Sequence, residues 1–185
     1  MQIVGGVHKG VKLAAPKGQA TRPTSARTRE AVFNILAHGI EGFAFAGTRV
    51  LDLFAGTGAL GLEAISRGSS FCLFVDDQAD ARALIRQNVE TLGLTGHTKI
   101  FRRDATDLGP IQSLKRFDLV FADPPYDKGL GEKALVSLRE GGWLVPGAIL
   151  VLEERHGVEV QLPDGFALLD QRRHGEAQTL IVKSD

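Results

Sequence analysis

From Arg49 onward the chain changes period repeatedly: a short apolar run, then a stretch with apolar residues three and four apart, then another short run. Val50–Phe54 reads as a buried strand, Ala59–Arg67 as a helix closed by Gly68, and Phe71–Val75 as a second strand. Gln78–Leu92 reads as a helix whose apolar face is Ala81, Leu84, Ile85, Val89 and Leu92. A weaker strand at Lys99–Arg102, a short helix at Thr106–Lys115, an apolar strand at Phe117–Ala122 and a helix at Gly131–Glu140 follow. Ala148–Leu152, Ala167–Gln171 and Thr179–Val182 complete seven strands, the last two pairing antiparallel around Arg173–Glu176. The alternation predicts an α/β fold: a doubly wound, mostly parallel seven-stranded sheet with an antiparallel C-terminal hairpin. Ligands of such sheets bind at the carboxyl ends of the strands.

The first strand runs into Asp52-Leu-Phe-Ala-Gly56-Thr-Gly58-Ala-Leu-Gly61 and then a helix. Gly56, Gly58 and Gly61 spell G-x-G-x-x-G, and Asp76, twenty residues beyond Gly56, sits where an acid can hold ribose hydroxyls. A dinucleotide or another nucleoside-bearing cofactor would fit this much. Asp52 separates them. A carboxylate before the loop, ~6 Å from a pyrophosphate, would repel each negative charge by ~3 kcal/mol at an effective dielectric near 20. S-adenosylmethionine has no phosphate and carries an ammonium and a sulfonium, so the same residue favours it and counts against an NAD-dependent oxidoreductase.

The fourth strand ends in Asp123-Pro124-Pro125-Tyr126. Two prolines fix φ and lack amide hydrogens, so the turn is rigid and its carbonyls need outside donors. An exocyclic amino group of a base is such a donor. A carboxylate and a carbonyl that accept its hydrogens orient the nitrogen and favour the positive charge developing on it. Tyr126 offers a face to an unstacked base.

Net charge is zero, but residues 1–29 hold Lys9, Lys12, Lys17, Arg22, Arg27 and Arg29 with no acid, leaving 16 basic against 22 acidic residues elsewhere. This is the pattern of a basic arm on an acidic body. Gln2–Ala15 reads as a small hairpin around Gly5-Gly6 and Gly10, and after Pro23 a helix capped by Thr24 or Ser25 runs to His38-Gly39. Arg27 and Arg29 in its first turns oppose the helix dipole, which points to a role other than helix stability. The expected division is an RNA-binding arm at 1–39 and a catalytic domain at 40–185.

These features together resemble the bacterial 16S rRNA guanine-N2 methyltransferase family, within the class I, Rossmann-like methyltransferases. The resemblance rests on Ile3-Val4-Gly5-Gly6, Lys9-Gly10, Lys12-Leu13, Arg22-Pro23-Thr24, Arg29–Leu36, the glycine loop and Asp123–Tyr126, and spans nearly the whole chain. It implies S-adenosylmethionine as cofactor, with Asp52, Phe54, Gly56, Thr57 and Gly58 around its methionine part, Asp76 on the ribose and Asp104 near the adenine. The family commonly has glutamate at the ribose position, where this chain has Asp76 followed by Asp77, so that contact is expected from Asp76 with a share open to Asp77. Asp123, Pro124 and Tyr126 would address the guanine. Lys9, Lys12, Arg22, Thr24, Arg27, Arg29 and Asn34 would hold 16S rRNA of the small ribosomal subunit. An adenine-N6 or cytosine-N4 amino-methyltransferase shares the tetrapeptide and is the nearest alternative, and an RNA-binding protein on a degenerate scaffold is a more distant one. The five scattered histidines have no ligand spacing, so no metal is expected, and Cys72 is expected as a buried apolar residue. With no apolar run near ~20 residues and no signal-like start, a cytoplasmic monomer without membrane attachment is expected.

Overall fold

A computed structural model describes residues 1–16 and 25–185. Its seven strands are β1 (Arg49–Leu53), β2 (Phe71–Val75), β3 (Thr98–Phe101), β4 (Phe117–Ala122), β5 (Leu144–Arg155), β6 (Phe166–His174) and β7 (Ala177–Ser184). They form one sheet in the order β3-β2-β1-β4-β5-β7-β6. The first five strands pair in parallel, and β7 pairs antiparallel with both β5 and β6. The chain moves outward from β1 on one side and returns to β4 on the other. The carboxyl ends of β1 and β4 therefore flank the switch point where a ligand cleft opens.

Both faces of the central strands are covered, which is why β1, β2 and β4 read as unbroken apolar runs. On one face α1 (Ala26–His38), α2 (Ala59–Ser66) and α3 (Ala79–Thr91) pack on Val50, Cys72, Phe74, Leu119, Phe121 and Val151. Phe33 of α1 is fully buried, its ring 5.5 Å from those of both Phe45 and Phe121. Ile3 and Leu13 enter the same core, so the N-terminal segment is built into the apolar packing. The other face carries α4 (Leu130–Glu140) and Trp143, whose indole N–H donates to Gly109 O at 2.7 Å. Cys72 is buried, as expected of it.

The helix expected over Thr106–Lys115 does not form. Gly109 takes φ +66° and is followed by Pro110, and the amides on either side bond across the molecule: Leu108 N–H to Ser137 Oγ at 2.8 Å and Ile111 N–H to Gly141 O at 3.0 Å. The last three strands extend beyond their apolar centres because pairing continues through polar ends such as Glu153↔Thr179 and Glu154↔Gln178. No helix among the described residues is long and apolar enough to cross a membrane.

Candidate active site

The glycine loop leaves β1 through Phe54, a non-glycine residue at φ +54°, a left-handed conformation that persists only where its surroundings impose it. Gly58 follows at φ +76° as the residue before α2, and a Cβ there would come within 3.1 Å of the Phe74 ring. Gly61 is required by contact: its Cβ would lie 2.5 Å from both Cys72 Sγ and Phe74 Cε1. These glycines let the first turn of α2 press onto β2, the close helix–strand approach that the third glycine of the pattern provides.

Two acids hold this loop. Asp76, at the end of β2, accepts from Gly56 N–H and Gln78 N–H through its two oxygens, each at 2.9 Å. Each oxygen keeps a lone pair for a further donor such as a ribose hydroxyl. Asp77 beside it is exposed and bonded to the Gln78 amide at 2.8 Å. Asp52 is 2% exposed and its Oδ2 accepts from Gly61 N–H at 2.9 Å, satisfying a donor at the start of α2 that has no partner within the helix. Burial pushes the Asp52 carboxyl well above the ordinary carboxylate range, and the charges of Asp123 and Asp76 push it further. Asp52 thus lies beneath the loop, where its carboxyl holds the first turn of α2. Phe54 and Thr57 line the loop half-buried. Asp104, past β3, is exposed and held by Thr106 N–H and Oγ1, which keep its carboxyl below the usual range.

Across the switch point, the turn Asp123–Tyr126 continues β4 and is pinned by the end of β5. The Tyr126 hydroxyl donates to Glu153, Glu154 accepts from Asp127 N–H at 3.2 Å, and Arg155 pairs with Asp127 at 2.7 Å. Sequence reasoning passed over Glu153 and Glu154; the signal available was two acids at the carboxyl end of an apolar strand. Asp76 and Asp123 stand past the carboxyl ends of β2 and β4, on either side of β1 and its loop, two acids that suit a cationic cofactor and repel a pyrophosphate.

Among the expected RNA-binding residues, Lys9, Lys12, Arg27 and Asn34 are exposed. Arg29, expected on the surface, is instead 1% exposed: its Nη2 donates to Gln2 O at 2.6 Å, and Glu63 offsets part of a desolvation that lowers its pKa. It ties α1 to the N-terminal segment. Arg22 and Thr24 lie outside the described residues. Gln2 bridges Lys12 antiparallel, and the turn between them docks on α2 through Val4 N–H to Glu63 at 2.9 Å and Val7 N–H to Ser66 O at 2.8 Å. Fully buried Asn88 of α3 accepts from Ala14 N–H at 2.7 Å and donates to both Ala14 O (3.1 Å) and Thr57 O (2.9 Å).

The model of a family described as conserved hypothetical protein 95 matches residues 1–183. The chain belongs to this family. It is 38% identical over 167 residues to the putative rRNA methyltransferase YlbH of Bacillus subtilis, covering 89% of this chain and 86% of that one. It is 37% identical over 164 residues to ribosomal RNA small subunit methyltransferase D of Escherichia coli K12, covering 88% and 78% of the two chains. A solved putative methyltransferase from E. coli, yhhF, superposes with a TM-score of 0.84 at 29% identity, over 100% of this chain and 98% of that one. This family member is a methyltransferase, and S-adenosylmethionine is its methyl donor.

Proposed function

We propose that the chain methylates the exocyclic N2 of a guanine in 16S rRNA of the small ribosomal subunit, acting in the cytoplasm. The observation that carries this reading is the rigid Asp123–Tyr126 turn beside the glycine loop, braced from β5. S-adenosylmethionine, held by the loop residues Phe54, Gly56, Thr57 and Gly58 with Asp76 on its ribose and Asp104 toward its adenine, supplies the methyl group as an electrophile. Asp123 and the Pro124 carbonyl accept the two amino hydrogens, turn the nitrogen toward the donor and stabilise the charge it gains. The Tyr126 ring, fixed through its hydroxyl, stacks on a base drawn out of its helix. The proton leaves to water after transfer, so no strong base is needed.

Residues 1–39 serve as the RNA-binding arm of a catalytic domain formed by 40–185. Their exposed Lys9, Lys12, Arg27 and Asn34, in a segment with no acid before Glu30, meet phosphates that the acidic body would repel. Mass spectrometry of nucleosides from 16S rRNA, taken from cells with and without the protein, tests the reading. N2-methylguanosine should fall in its absence and return with the wild-type chain but not with Asp123→Ala. A lost methyl on adenine or cytosine would overturn the choice of base.

A further inference from the structure

Glu153 follows Leu152, which pairs with Ala122 across the parallel β4–β5 ladder. One step further along both strands stand Asp123 and Glu153. Their counterparts two residues earlier, Phe121 and Val151, are register partners in the same apolar core, so the period of two puts Asp123 and Glu153 at one edge of one face. Neighbouring strands lie ~4.8 Å apart, so the two acids leave the backbone from adjacent positions at the mouth of the cleft. Glu153 accepts the Tyr126 hydroxyl. Among the described residues its carboxylate has no ion pair: Arg155, two residues on, pairs with Asp127.

A glutamine at this position would hold the tyrosine equally well without setting a second carboxylate next to Asp123. Its neighbour Glu154 has a purely internal task, being 2% exposed and accepting from Asp127 N–H and Arg155 N–H. Glu153 is half-buried, and one hydroxyl leaves most of the acceptor capacity of a carboxylate unused. Side-by-side acceptors call for a ligand edge carrying side-by-side donors. The Watson–Crick edge of guanine has one, N1–H beside the N2 amino group. Adenine at N1 and cytosine at N3 present a lone pair next to their amino group, which a carboxylate repels.

We infer that Glu153 is the residue that selects guanine, its carboxylate accepting N1–H while Asp123 takes the amino group. The inference rests on the reading that the substrate is guanine N2. It is tested on small subunits reconstituted with 16S rRNA in which the target guanine, once mapped, is replaced by ligation with 2,6-diaminopurine. That base keeps the 2-amino group but has a lone pair at N1. The wild-type chain should use guanine at a kcat/KM at least ~100-fold above diaminopurine, as sites built to bond a particular donor do. In Glu153→Gln, whose amide can donate to the lone pair, the ratio should narrow to within about tenfold, while titrated affinity for S-adenosylmethionine stays unchanged. Tyr126→Phe removes the hydroxyl but keeps the carboxylate, so it should preserve the ratio. Equal losses on both bases in Glu153→Gln, or a wild-type chain that does not discriminate, would reduce Glu153 to an anchor and overturn the inference alone. No transfer to guanine by the wild-type chain would overturn the proposed function, and this inference with it.

Discussion

Asp52 shows how the fold gives a side chain a task that its place in the sequence does not announce. Its position before the glycine loop is plain in the sequence, but its burial under Gly61 depends on α2 folding back over β2. A buried carboxyl with a raised pKa keeps its proton to higher pH in the folded chain than in the unfolded one. The unfolded state therefore releases its proton first as pH rises from ~4, and the stability contributed by the neutral form is lost between there and the folded pKa. Asp52→Asn keeps an acceptor for Gly61 N–H and removes this titration. Denaturant melts of the cofactor-free protein should show the variant gaining on the wild type as pH rises above about 4; a gap that stays constant with pH would show that the Asp52 carboxyl is not shifted upward by folding. Asp76→Ala removes the brace on Gly56 and the expected ribose acceptor together. It should weaken S-adenosylmethionine by about 1.5–3 kcal/mol in calorimetry, the scale of a hydrogen bond to a charged group. Unchanged affinity would pass the ribose to Asp77.

Among the elements, α2 is held where it is by the absence of one methyl group. Gly61→Ala would force a Cβ into Cys72 Sγ and Phe74, and in a packed interior this should cost about 1–3 kcal/mol, at about 2–4 °C of Tm per kcal/mol for a chain of this size. Pairing it with Cys72→Ala opens space and should recover part of the loss in a double-mutant cycle; additive losses would mean the contact is not the cause. The glycine loop, the Pro-Pro turn and the strand–helix alternation were all legible because each is encoded within a few neighbouring residues. Leu108, Ile111 and Leu114 carry helical spacing too, yet Gly109-Pro110 interrupts it and Ser137 and Gly141 take up the amides that a helix would have used. What the sequence could not reveal was long-range. Glu153 meets Tyr126 only through the β4–β5 register, and Arg29 is buried because Gln2 and Glu63 converge on it.

At the scale of the whole molecule, charge is divided between a cleft edged with carboxylates and an N-terminal segment that carries basic residues and no acid before Glu30. Lys12→Glu with Arg27→Glu should raise the KM for small subunits. The same pair should flatten the dependence of log affinity on log salt by ~0.7 for each single-stranded phosphate that is no longer neutralised. Cofactor affinity and the identity of the methylated base should not change; a salt dependence like that of the wild type would remove the segment from the RNA interface. The two halves of that division meet at the Asn88 side chain, one amide bonded to Ala14 on the arm side and to Thr57 in the cofactor loop. RNA held by the arm and cofactor held by the loop would both act on this amide, and any linkage between them is reciprocal. A factor by which RNA tightens S-adenosylmethionine must equal the factor by which S-adenosylmethionine tightens RNA, and Asn88→Ala should bring both toward one; factors unchanged in that variant, read by titrating each ligand with and without the other, would remove Asn88 from the link between them.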